Sequence, residues 1–275
     1  MQIFNTLKRE RNQMGLTIKH LSIERKEGES LEQFKLRVVY TSQLERAKKG
    51  NDNATEHDKL MKDKLIEECK KNGVEIQYFF QLQYTNLEQT KLLFPILKKY
   101  VGQFDNVGTS IMIVFSMTNG KNKDANPYLI DLFRKVRNEY CNRNCDKDYS
   151  TFLEFICSCL DQIKDKKYIC EYRQFLKEGP EDETTLLIDV LKSFKKVDDI
   201  SLFVDIYKNS KCSDRRWFAL RALSVYKGHK ELIPILESER LIGTFKIGSQ
   251  EYYWNRTIDV AIGRINGIYK RWPGY

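Results

Sequence analysis

The sequence predicts a mainly α-helical fold of antiparallel helix pairs, preceded by an N-terminal segment of mixed α/β character. Two observations carry this. From residue 86 onward apolar residues recur at spacings of three and four, the period of one helix face, and polar turns separate these runs at short intervals. The composition, 41% hydrophobic and 31% charged over 275 residues, supplies both a core and a solvated surface.

Residues 1–73 form the first expected segment. Leu16-Thr17-Ile18-Lys19-His20 and Phe34-Lys35-Leu36-Arg37-Val38-Val39-Tyr40 alternate like half-buried strands. Gly50-Asn51-Asp52-Asn53-Ala54 breaks the chain, and 58–72 reads as a charged surface helix ending before Gly73. Residues 74–84 alternate from Val74 to Tyr84, a strand period, yet they lead straight into helices and would need partner strands; both readings stay open.

The second expected segment, 74–275, is the helical domain. Asn86 with Gln89 three residues on is a capping box, opening a helix with Leu92, Leu93, Ile96, Leu97, Tyr100 and Val101 on one side. Residues 106–117 are apolar enough for a buried helix. Asn126-Pro127 places a cap before a proline at the first helical position, with Leu129, Leu132, Phe133, Val136 and Tyr140 following. Ser150 is expected to open the next helix, with Phe152, Phe155, Ile156, Cys159 and Ile163 inward. Gly179-Pro180 is the clearest punctuation in the chain, followed by helices on Leu186, Leu187, Val190, Leu191, Phe194 and on Ile200, Phe203, Val204, Tyr207. At the end, Ile258, Ala261, Ile262, Ile265 and Ile268 make one stripe, read as a capping helix.

Within 213–237, Arg216-x-x-Ala219-x-x-Ala222-Leu223 precedes Gly228 and Leu232-Ile233-Pro234-Ile235-Leu236. This resembles one HEAT repeat of the armadillo-type helical-repeat superfamily, in which a first helix with arginine and small alanines packs closely on its neighbour and a second carries a leucine-isoleucine stripe. Weaker copies overlie 185–208, 106–140 and 92–97, so the resemblance spans about 86–270. It implies an α-solenoid, in which neither helix of a pair buries its stripe without the next repeat.

Several functions are excluded or unsupported by residues. The longest apolar run, Ile111-Met112-Ile113-Val114-Phe115, is far short of the roughly 20 residues of a membrane span. Charge at Lys8-Arg9-Glu10-Arg11 interrupts any signal-peptide stretch, so a cytoplasmic protein without a membrane partner is expected. Seven cysteines in an odd, dispersed set read as reduced thiols. Cys141-x3-Cys145 with Cys157-x-Cys159 is the tightest group, but two cysteines two apart on a helix point about 200° from one another, and no histidine is near; no metal site is assigned. HExxH, GxSxG, Walker A and GxGxxG patterns are absent, and His20, His57 and His229 are widely spaced. No catalytic residue and no cofactor is assigned.

The net charge of +9 is unevenly spread: residues 208–275 hold 13 basic and 6 acidic groups. Arg215, Arg221, Lys227, Lys230 and Arg256 are interleaved there with Tyr252, Tyr253 and Trp254, and these eight are the candidate partner-binding residues; Arg216, Arg264, Lys270 and Arg271 with Trp217, Tyr269 and Trp272 extend the same pattern. Basic groups beside aromatics suit phosphate contact and base stacking, but Trp217 shares a helix apolar on most sides and reads as core, Arg216 resembles the repeat's structural arginine, and a solvated charged face is the preferred reading of the rest. The resemblance implies a non-enzymatic binding protein, an adaptor or an immunity protein against a toxin, presenting a concave face to a protein partner. The alternative it implies is a nucleic-acid-binding HEAT-like protein, such as an alkylpurine DNA glycosylase using aromatics and an aspartate, for which Trp217, Trp254 and Asp259 stand available.

Overall fold

The computed structural model describes residues 28–30, 33–34, 41, 54–142, 146–240, 244–247 and 250–272, with backbone alone for 245–247 and 250–252. The described chain is mainly helical, and it divides into two compact units, 1–120 and 121–275. The boundary expected at 73–74 lies inside the first unit.

The strand expected from Phe34 does not begin there. Ser30 and Gln33 cap each other reciprocally, the Gln33 amide donating to Ser30 Oγ at 3.1 Å and the Ser30 amide to Gln33 Oε1 at 2.9 Å. The Phe34 amide then donates to the Ser30 carbonyl, a helical bond. A capping box outweighs an alternating pattern because it satisfies backbone donors locally. Residues 35–40 and 16–20 lie outside the described residues.

In the first unit, α1 (Glu56–Lys71) buries Met61, Leu65 and Cys69. Asp58, itself buried, accepts from the amides of Asp105 at 2.7 Å and Asn106 at 3.3 Å, tying the first turn of α1 to the loop before the third helix. Residues 74–84 are not a strand: Val74 and Ile76 are buried, and Phe79–Tyr84 closes as a 3-10 turn. The amides of Gln77 and Tyr78 both donate to Gln81 Oε1, so a side chain serves where a partner strand would. The capping box expected at Asn86 and Gln89 opens α2 (Leu87–Tyr100), and α3 (Val107–Ser116) packs on α2 and on the 3-10 turn.

The second unit runs α4 (Asn126–Asn142), α5 (Lys147–Ile163), α6 (Ile169–Glu178), α7 (Glu181–Thr184), α8 (Leu186–Phe194), α9 (Ile200–Asn209), α10 (Ser213–Leu223), α11 (Leu232–Ser238), β1 (Thr244–Ile247), β2 (Gln250–Tyr253) and α12 (Trp254–Ile265). Two starts differ from expectation. Asn126 is already helical, preceded by a 3-10 turn that Asn122 caps. Asp146, not Ser150, caps α5, its carboxylate accepting from Asp148 N; an aspartate at that position also complements the positive end of the helix dipole.

The packing order is simple. Helices α5, α8, α10 and α12 lie side by side in that sequence, and each has a second helix against it: α4 on α5, α6 on α8, α9 on α10 and α11 on α12. On α10, Ala219 and Ala222 are fully buried, small residues that permit close approach of the helices packed on it. Leu187, Val190, Leu191, Phe203, Leu223 and Leu232 are buried with them; Val204 and Ile235, expected in this core, are half-buried.

The antiparallel pair β1–β2, in register Thr244 to Tyr253, stands between α11 and α12. It was not expected, although Thr244-Phe245-Lys246-Ile247 and Gln250-Glu251-Tyr252-Tyr253 flank Gly248-Ser249, a hairpin signal. Along α12, Ile258, Ala261 and Ile265 face inward as the stripe predicts. Ile268 does not: the chain leaves the helix at Gly267 (φ +79°), and Ile268 is 70% exposed.

Candidate binding face

The candidate residues fall into separate places. Arg215 is buried, a correction to its assignment as a partner contact. Its guanidinium donates to the Glu181 carbonyl at 2.8 Å, to Thr184 Oγ1 at 2.6 Å and to the Leu176 carbonyl. Leu176 lies in the last turn of α6, where carbonyls have no helical partner, and Pro180 has no N–H to offer them. Arg215 therefore closes the break at Gly179-Pro180 from a neighbouring helix. Outside, the Glu181 carboxylate accepts from Ser210 Oγ at 2.8 Å and from the amides of Lys211 and Cys212.

Trp254 is likewise buried and is corrected in the same way. Arg216 lies over its ring at 5.4 Å and over Tyr207 at 5.6 Å, while donating through Nε to the Tyr207 carbonyl at 2.9 Å. Lys227 and Lys230 stand exposed on the turn between α10 and α11, and Tyr253 and Arg256 are exposed where β2 meets α12. The side chain of Tyr252 lies outside the description. Asp259 accepts from Arg240 at 2.6 Å.

Arg221 belongs to a half-buried cluster of charged and aromatic side chains. It sits on the layer formed by α5, α8, α10 and α12, its guanidinium over the Trp217 ring at 4.4 Å. Trp217 meets Trp272 edge to face at 6.4 Å, and Arg264 of α12 lies over the Trp272 ring at 5.6 Å. On the neighbouring helices, Lys164 pairs with Asp161 at 3.0 Å and Lys192 with Asp189. All six ionisable side chains except Lys164 are half-buried.

That partial burial sets the electrostatics. Burial raises the Asp161 carboxyl above its usual range, against the pull of Lys164. Burial lowers Lys192; Asp189 opposes this and Arg221 adds to it. Arg264 is lowered by burial and then by Arg221. Arg221 is thus felt by a cation on each side. Among the described residues neither Arg221 nor Arg264 has a carboxylate within 4.0 Å, and the buried Nε of Arg264 and Nε1 of Trp272 find no acceptor. A buried donor left so costs about 1–3 kcal/mol.

Sequence reasoning reached Arg221, Arg264, Trp217 and Trp272 by composition. It missed Asp161, Asp189 and Lys192, whose only signal is an opposite-charge pair three residues apart near a helix end, a pattern common on solvated helices.

Other chemistry has less to stand on. His57 Nε2 meets the Gln103 carbonyl at 2.9 Å, and His229 Nδ1 meets Glu231 at 2.7 Å; His20 lies outside the described residues. Cys157 and Cys159 are buried in α5, Cys141 is exposed at the end of α4, and Cys145 is not described. Among the described residues no three His, Cys, Asp or Glu side chains gather as metal ligands, and no helix is long and apolar enough to cross a membrane. No protein-family model, curated protein or solved structure matches the chain.

Proposed function

We propose that the chain is a helical-repeat binding protein of HEAT type, an α-solenoid adaptor that receives a protein partner on the face made by α5, α8, α10 and α12. The observation that carries this reading is the order of packing: four helices side by side, each backed by a second, which is how stacked helix pairs generate one continuous surface from short elements.

The residue types on that face support a protein partner. Tryptophan and arginine are the side chains most enriched where binding energy concentrates, and Arg221, Arg264 and Trp272 stand together there over the buried Trp217 ring. Asp161 and Asp189 lie among the cations, and a surface of both signs suits a partner of both signs. A nucleic-acid strand would meet those carboxylates as repulsion. The arginine–tryptophan group on its own favours the second reading, a nucleic-acid partner, and is the reason to test both.

Affinity capture from the native host separates the readings. The wild-type chain is expected to recover a protein that Arg221→Glu loses and that Lys135→Glu, at an exposed position of α4, retains. Recovery of nothing by the wild type, or of the same protein by Arg221→Glu, would sink the proposal. Binding to DNA at ordinary salt, or release of alkylated bases from methylated DNA, would establish the nucleic-acid reading instead.

A further inference from the structure

We infer that the cluster of Arg221 and Arg264 with the rings of Trp217 and Trp272 is an oxyanion site that takes a carboxylate or phosphate group presented by the partner. This rests on the protein-partner reading and names the chemistry of its central contact.

Three observations converge on an anion. The first is uncompensated charge. Two guanidiniums on adjacent helices stand near enough for one to disfavour the other's charge, and among the described residues no carboxylate pairs with either. Lys192 adds a third cation beside Arg221, and its own carboxylate, Asp189, is already engaged. Like charges brought together on half-buried side chains are relieved by a counter-ion that both can reach.

The second is position. Arg221 lies over the Trp217 ring at 4.4 Å and Arg264 over the Trp272 ring at 5.6 Å, so one aromatic cluster carries two guanidiniums, the side chain whose fork grips carboxylate and phosphate. The third is the pair of orphan donors. Arg264 Nε and Trp272 Nε1 are buried without acceptors, and a group with several acceptor oxygens and no N–H would answer both.

Trp272 follows the last turn of α12 on non-helical chain, beyond Tyr269, whose ring seats against Gly263.

The test uses the full chain titrated at low salt with inorganic phosphate and, separately, with a hexaglutamate peptide, read by tryptophan emission and calorimetry. Saturable binding is expected for at least one probe, weakened tenfold or more by Arg264→Gln and by Arg221→Gln. Arg264→Lys keeps the charge but loses the fork and Nε, and is expected to lose at least fivefold, which guards against a folding defect in the glutamine variant. Trp272→Phe should bind more weakly and lose most of the emission change. Preference for phosphate or for glutamate assigns the source of the oxyanion and supports the site either way. Absence of saturable binding by both probes, or equal affinity in Arg264→Gln and wild type, overturns it. Partner capture undiminished in Arg264→Gln also overturns it while leaving the protein-partner reading standing. An oligonucleotide that binds through Arg264 supports the oxyanion site and overturns the protein-partner reading instead.

Discussion

The guanidinium of Arg215, on α10, donates at 2.8 Å to the carbonyl of Glu181, 34 positions earlier, the first residue of α7 just after the break at Gly179-Pro180. One side chain thereby fastens two helix pairs at a point where the backbone cannot satisfy itself. Arg215→Ala should leave the carbonyls of Leu176 and Glu181 and the Thr184 hydroxyl short of a donor, lowering stability by about 3 kcal/mol. Urea unfolding measures this; a midpoint within error of wild type would show that water replaces the arginine freely.

Gly179 is the other half of that break. A Cβ there would fall 2.6 Å from the Phe175 carbonyl oxygen and 2.5 Å from Thr184 Cγ2. The carbonyl is main chain at the end of α6 and cannot step aside cheaply. Gly179→Ala is expected to cost about 2 kcal/mol, the scale of overpacking a tight site. Thermal melting checks it, and an unchanged melting temperature would mean that the turn relaxes.

Glu181 gives a pH signature. Burial works to raise its carboxyl, but the Ser210 hydroxyl, the Cys212 amide and the Arg215 charge outweigh it, and the folded value lies below 4.5. A depressed carboxylate contributes stability that is present above the unfolded value and is lost as pH falls through the folded one. Stability of the wild type should therefore drop below pH 4.5 more steeply than that of Glu181→Gln. Parallel acid curves for the two proteins would remove Glu181 from the account.

The helices were legible because their signals are local. Asn86 with Gln89, the Gly179-Pro180 break and the Ile258-to-Ile265 stripe each act within a turn or two, and each is where the sequence puts it. The arginine at the break was less legible. Arg215, Ala219 and Ala222 fall at i, i+4 and i+7, one buried stripe, yet a charged residue in a basic run reads first as surface. Arg216, matched to the helical-repeat pattern, is half-buried beside it. The cluster of Arg221, Arg264 and Trp272 was named only as composition, since nothing local brings residue 221 to residue 264. Packing of α10 on α12 does that.

Removing 255–275 tests the C-terminal helix as a cap. Ile258, Ala261 and Ile265 are buried, and their loss would bare α11 with its Leu232 and Leu236, as well as Trp217 on α10. The truncated chain is expected to aggregate or to melt without a sharp transition. A monomer that melts as sharply as the full chain would mark the segment as an appendage.

The side-by-side order of α5, α8, α10 and α12 has a kinetic consequence. Helices that pack together in this unit are near one another along the chain, so little loop-closure entropy is lost before contacts begin to repay it. Folding of residues 121–275 should be able to start at any adjacent pair and spread outward, at rates typical of short-range topologies. Damage at α4 would then slow only its own end of the row, and the neighbourhood of α12 would reach its native arrangement on schedule.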